Sequence, residues 1–155
     1  MDMISKSLEL VKKYFDGAVD KGGNPYINHI LSVENGVTTK EEKVVALLHD
    51  IIEDTVITKG DLINMGYQNN IVESIDLVTR PENMSYEDFI NRLAESENLV
   101  AINVKLSDLN NNMDLSRIPK YSEKDIYRVK YKYKPAYEKL QLVKNKLINE
   151  IRKND

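Results

Sequence analysis

Between positions 40 and 54 the chain reads KEEKVVALLHDIIED, polar at first, wholly apolar through 44–48, then carrying four ionisable side chains: His49, Asp50, Glu53 and Asp54. The spacing of its apolar residues predicts an amphipathic helix. Thr39 is its N-cap, and Glu42 three residues on completes a capping box. A helix patterned this way runs from the surface into the core, and His49 and Asp50 fall where it is deepest. Glu53 and Asp54 are the i+3 and i+4 neighbours of Asp50. Burying several unpaired charges together is costly, and a bound cation removes that cost. Taken alone, the segment could also be a satisfied core histidine followed by a solvated helix end.

Three further features weigh toward a cation. The chain holds two histidines, and the other, His29, lies in NPYINHI, on a short helix expected over 26–33. That helix follows the turn cluster Lys21-Gly22-Gly23-Asn24-Pro25, where Lys21 is suited to a phosphate. The third feature is VKLSDLNNNMDL, the end of a buried helix expected over 99–109. Asp108 and Asn112 are i and i+4 there, hence on one face. Cys is absent, so any metal is held by imidazole and carboxylate, a donor set suited to Mn, Fe, Zn or Mg. Two imidazoles and two carboxylates drawn from three segments leave positions open for water, as a catalytic site requires.

The remainder reads as helix: 4–16, 59–65, 70–78, a Ser85-capped segment with Tyr86, Phe89, Ile90 and Leu93 on one face, and one long helix over 122–152 bent at Pro135. No partner strands are evident, so the fold class expected is all-α, a single domain over 1–155. Thr79-Arg80, Tyr86 and Arg92 could line a pocket, although Arg92 could equally pair with Asp88 or Glu95 along its own helix. The net charge of −3 argues against a general polyanion binder. Accordingly YRVKYKYKPAYEK is read as a packed face, with Tyr127, Tyr131 and 133–137 inward and lysines at the rim, and not as a nucleic-acid surface. No signal peptide or membrane span is expected, and the expected address is the cytoplasm.

GNPYINHILSV, ALLHDIIEDT and VKLSDLNNNM together resemble the signature segments of the HD superfamily of metal-dependent phosphohydrolases. More narrowly they look like the alarmone hydrolase domain of RelA/SpoT-type enzymes, over about residues 4–115. The resemblance implies an HD-type helical bundle that removes the 3′-pyrophosphate of guanosine tetra- and pentaphosphate, using manganese. It implies His29, His49, Asp50 and Asp108 as metal ligands, Glu53 and Asp54 as the pair that handles the nucleophilic water, and Lys21 and Asn112 as substrate contacts. The partner implied is a small-molecule nucleotide, and no protein partner is indicated. Three departures bear on the substrate. Asp20 stands where a basic residue is usual, Asn110-Asn111 lack the usual Arg and His, and the 20 positions from His29 to His49 are fewer than usual. A nucleotide or metal sensor with little turnover, and an HD phosphatase of another nucleotide, are the competing readings.

Overall fold

The computed structural model describes residues 2–154. Among the described residues the regular structure is helical, apart from an isolated antiparallel bridge between Val19 and Pro25. Helix α1 (Met3–Tyr14) is capped by Asp2, which accepts from the Ser5 amide at 2.9 Å. It stops before Gly17, whose φ of +77° is strained for any side-chain-bearing residue. Helices α2 (Ile27–Asn35) and α3 (Lys40–Leu48) follow, and the Thr39/Glu42 capping box forms as expected.

The expected single helix over 40–54 is broken. It ends at Leu48, and α4 (Ile51–Asp54) starts anew after His49 and Asp50. The Ala46 carbonyl explains the break: it accepts from the His49 backbone amide at 3.4 Å and from His49 Nδ1 at 2.6 Å. This draws the backbone into a tighter turn, and Asp50 sits flattened at φ −105°, ψ 0°.

Short α5 (Lys59–Asn64) and α6 (Asn69–Leu77) lead to α7 (Tyr86–Glu95), capped by Ser85, and to the buried α8 (Leu99–Met113). The last stretch is not one helix. It comprises α9 (Glu123–Arg128), a widened π turn (Val129–Tyr133) and α10 (Lys134–Lys153). Pro135 has no amide hydrogen and its ring crowds the carbonyl four residues back, so the distortion falls just before it. The widened turn also rotates the tyrosine face. Tyr127 and Tyr131 are 64% and 58% exposed and pair with each other, ring centres 4.6 Å apart, so the expected packed face holds only for Tyr133 and Tyr137. No described helix is long and apolar enough to cross a membrane.

Helix α3 packs against α1, α2 and α8, and α8 packs in turn against α2 and α10. Leu47, Leu48, Ile51, Ile102, Leu109 and Leu140 are fully buried at these contacts, each worth about 1.5–3 kcal/mol of transfer free energy. Two polar joints set the register. Glu42, buried at the start of α3, accepts from Asn103 of α8 at 2.6 Å. At the end of α2, a Cβ on Gly36 would collide with Ser107 Oγ, which donates to the Val33 carbonyl at 2.8 Å. That close approach is what brings the His29 helix against the Asp108 helix.

Candidate metal centre

Helices α2, α3 and α8 each end a polar side chain at one place. His29 Nε2 lies 3.0 Å from Asp108 Oδ1, and His49 Nε2 lies 3.5 Å from the same oxygen and 3.0 Å from Asp50 Oδ2. The imidazole centres are 5.5 Å apart. His29, His49 and Asp108 are buried, each at most 5% exposed. The three sequence segments thus converge as expected.

The far side of each group is anchored. His49 Nδ1 donates to the Ala46 carbonyl, and His29 Nδ1 meets Asn111 Oδ1 at 2.5 Å. Both acceptors place the ring proton on Nδ1, so in a neutral imidazole Nε2 presents a lone pair. Tyr26 donates to Asp50 Oδ2 at 2.5 Å while its ring stacks on Phe15. Lys105 Nζ reaches Asp108 Oδ2 at 2.8 Å, and Asn112 donates to Asp108 Oδ1 at 3.2 Å. Lone pairs and carboxylate oxygens therefore face one another at the centre. His49 Nε2 is buried there without a hydrogen-bond partner. A donor set of this kind is completed by a cation, and groups oriented through their second atoms are the usual support of metal ligands. The residues present fit a divalent ion.

The field at the centre favours positive charge, either a proton on the imidazole or a cation between the ligands. Burial works against charge on His49, but the carboxylates of Asp50 and Asp108 outweigh it and hold the imidazole well above its ordinary range. Burial likewise opposes ionisation of Asp108, yet Lys105 and the two histidines hold it well below the usual carboxylate range.

Glu53 and Asp54 stand at the solvent edge of the cluster, with Asp50, Glu53 and Asp54 offering oxygens within 4.8 Å of one another. Burial, together with the charges of Asp50 and Glu53, pushes the Asp54 carboxyl up to about 6. Glu53 accepts from the Arg80 amide at 3.1 Å. A cavity of about 190 Å³ opens over these acids, with Arg80, Tyr86, Lys105 and Lys132 on its other walls. A second pocket of about 310 Å³ adjoins it across Tyr26, His29, Asn112 and Tyr133. Lys21 lines that second pocket with Arg117 and Arg128, so it stands beside the acidic cluster and not over it.

Asp20 also lines the second pocket, but its charge is spent locally. Its Oδ1 accepts from the amides of Gly22 and Asn24 at 2.9 and 3.0 Å, and Arg117 lies 3.9 Å from Oδ2. Arg92 pairs with neither Asp88 nor Glu95; it donates to the carbonyls of Asp76 and Leu77 in the last turn of α6 and of Thr79 just beyond it. Sequence reasoning assigned no role to Tyr26, Lys105 or Asn111. Tyr26 and Lys105 lie within the very segments PYINH and KLSD, three residues before His29 and Asp108, and that spacing was the available signal.

The fold has a counterpart among solved structures. Over 97% of this chain and 96% of the other, the structure described as "A metazoan ortholog of SpoT hydrolyzes ppGpp and plays a role in starvation responses" superposes with a TM-score of 0.71 at 20% identity. The two chains share one all-helical fold. No protein-family model matches the chain. Two curated relatives are similar to the chain in sequence. A GTP pyrophosphokinase of Myxococcus xanthus is 29% identical over 129 residues, and a guanosine-3′,5′-bis(diphosphate) 3′-pyrophosphohydrolase of Vibrio cholerae is 26% identical over 126. Each alignment takes in 73% of this chain, which spans only 17% and 18% of those relatives' own lengths.

Proposed function

We propose that the chain is a metal-dependent phosphohydrolase acting on a guanine nucleotide that carries a 3′-diphosphate. The observation that carries this reading is the convergence of His29, His49, Asp50 and Asp108, each turned by a second contact so that its ligand atom faces the others. These four residues would hold the ion, with manganese as the ion and the cytoplasm as the compartment. A divalent ion held there supplies acidification of water and neutralisation of phosphoryl charge.

The chain's own residues do the rest. Asp54, whose carboxyl is pushed up to about 6 by burial and by the charges of Asp50 and Glu53, is poised to take a proton from water close to neutral pH. The Arg80 amide holds the Glu53 carboxylate in place for that step. Water adds to the phosphorus nearest the sugar as the bond from that phosphorus to the sugar 3′-oxygen breaks. The proton passes to that oxygen, and pyrophosphate leaves the nucleoside. Lys21, Arg117 and Arg128 outnumber the acids Asp20 and Asp125 that they pair with on the lining of the adjoining pocket, which leaves it net positive to receive the nucleoside's other phosphates. Asn112 stands between the two pockets and steadies Asp108.

The test is to incubate the purified, manganese-loaded protein with guanosine 3′,5′-bis(diphosphate) and a panel of other nucleotides. Release of pyrophosphate from the former is expected. With metal confirmed bound, no turnover of any phosphoester overturns the hydrolase reading, and nucleotide binding without product identifies a sensor.

A further inference from the structure

Three cationic side chains gather around one aromatic ring in the cavity above the acidic cluster. Lys132 Nζ lies 4.5 Å from the Tyr86 ring centre, Lys105 Nζ 5.9 Å and the Arg80 guanidinium 6.0 Å. Lys105 is committed to Asp108. Arg80 and Lys132 have no carboxylate within 4.0 Å among the described residues. Unpaired like charges held this close repel, and burial, then Arg80 and Lys105, draw the Lys132 ammonium below its ordinary range.

A second observation is independent of charge. The Tyr86 hydroxyl is buried without a hydrogen-bond partner, an unfavourable state that a bound acceptor would relieve. Burial also pushes the Tyr86 phenol up, so it stays a donor. Lys132 is brought to this place by the widened turn Val129–Tyr133, a local distortion that recurs at functional sites. Two uncommitted cations and one orphaned donor on the wall of one cavity describe a receptor for a small multiply charged oxyanion.

We infer that Arg80, Lys132 and the Tyr86 hydroxyl form a phosphate subsite that receives the outer phosphoryl group of a diphosphate, so that the site selects diphosphates over monophosphates. The orientation of that diphosphate rests on the hydrolase reading; the anion subsite itself does not.

The experiment therefore measures binding without turnover. Inorganic pyrophosphate and inorganic phosphate are titrated by calorimetry into the full chain, metal-loaded and then dialysed free of excess cation. Pyrophosphate is expected to bind at least about tenfold more tightly than phosphate. The Arg80→Gln/Lys132→Gln double variant loses that preference, and Tyr86→Phe weakens pyrophosphate by roughly threefold. Circular dichroism verifies the fold, and Arg80→Gln alone, at an exposed position, is the variant least able to disturb it. Unchanged pyrophosphate preference in the double variant overturns the subsite. Where the protein turns over nucleotide, the double variant raises KM for a 3′-diphosphate more than it lowers kcat. A protein that binds pyrophosphate through these residues but hydrolyses nothing keeps the subsite and loses the hydrolase.

Discussion

At the junction of α2, α3 and α8, the groups that aim the histidines and acids are themselves aimed. Asn111 and Ala46 fix the imidazoles, Tyr26 fixes Asp50, and Lys105 with Asn112 fixes Asp108. Across the cavity, Arg80 and Lys132 have no partner acid among the described residues, and the Tyr86 hydroxyl has none either. The first wall is buried and satisfied without a ligand apart from its centre. The second is half-exposed, basic and incomplete. A catalytic centre tolerates little displacement of its reacting groups, whereas a polyphosphate can bring its own charge to finish a binding wall. On the proposed reading, the division would place chemistry on packed helices and recognition on a turn and loop ends.

The largest effect should come from the point where the first wall is most crowded. Asp108→Ala leaves the Lys105 ammonium and two imidazoles without the acid they share. Breaking a buried pair in this way costs roughly 3–5 kcal/mol. Urea denaturation should register that loss, and elemental analysis should find no metal retained. Lys132→Gln on the opposite wall should shift stability by no more than about 0.5 kcal/mol. Equal losses in the two variants would break the contrast between the walls.

Tyr26→Phe sharpens it. The ring still stacks on Phe15, but Asp50 loses the hydroxyl that orients it. Removal of such a supporting contact typically weakens metal binding by about 10–100-fold, measurable by competition with a chelating dye. Tyr86→Phe, which removes a hydroxyl with no partner, should leave metal affinity unchanged.

How much of this was legible beforehand follows the same division. His29, His49, Asp50 and Asp108 could be read because histidine is scarce here and because charge interrupts otherwise apolar helices. The helices themselves follow from apolar spacing, and the caps at Thr39 and Ser85 from local side-chain chemistry. The break at His49-Asp50 could not be read, because it depends on one carbonyl serving a side chain and a backbone amide together. Lys105 has the sequence look of a solvated helix lysine, and only the fold turns it toward Asp108. Asp20 looked like a charge opposed to phosphate; loop closure and Arg117 absorb it.

The register joint that holds the first wall has its own acid signature. Burial raises the Glu42 carboxyl, but hydrogen bonds from the Thr39 amide, Asn103 and the Thr39 hydroxyl outweigh it and hold the group below its ordinary range. A lowered native value means the stabilisation is complete above the unfolded carboxyl range, near ~4.3, and is lost as pH falls through the lower native value. Glu42→Gln should cost about 1.5–3 kcal/mol at pH 7, as for hydrogen bonds to a charged group. The gap between the two proteins in urea should then shrink steadily below about pH 4. A gap that stays constant with pH would mean that Glu42 is not ionised in the folded protein.

The smallest effect belongs to the loop of the second pocket. Asp20→Ala removes the acceptor that closes the turn on Gly22 and Asn24 and releases Arg117. Exposed hydrogen bonds of this kind are worth about 0.5–1.5 kcal/mol, so the melting temperature should fall only slightly. Metal affinity should not change, since no contact of Asp20 reaches the histidines. The consequence should fall on recognition: a looser Lys21 loop raises KM for the nucleotide, while a freed Arg117 partly offsets it by turning toward phosphate. The two contributions separate in Asp20→Asn, whose amide oxygen still accepts from the loop but no longer neutralises Arg117. If Asp20→Asn binds nucleotide more tightly than the parent while Asp20→Ala binds more weakly, the acid organises the loop at a cost in phosphate affinity. If either variant loses metal, the recognition wall reaches further into the catalytic one than the hydrogen bonds indicate.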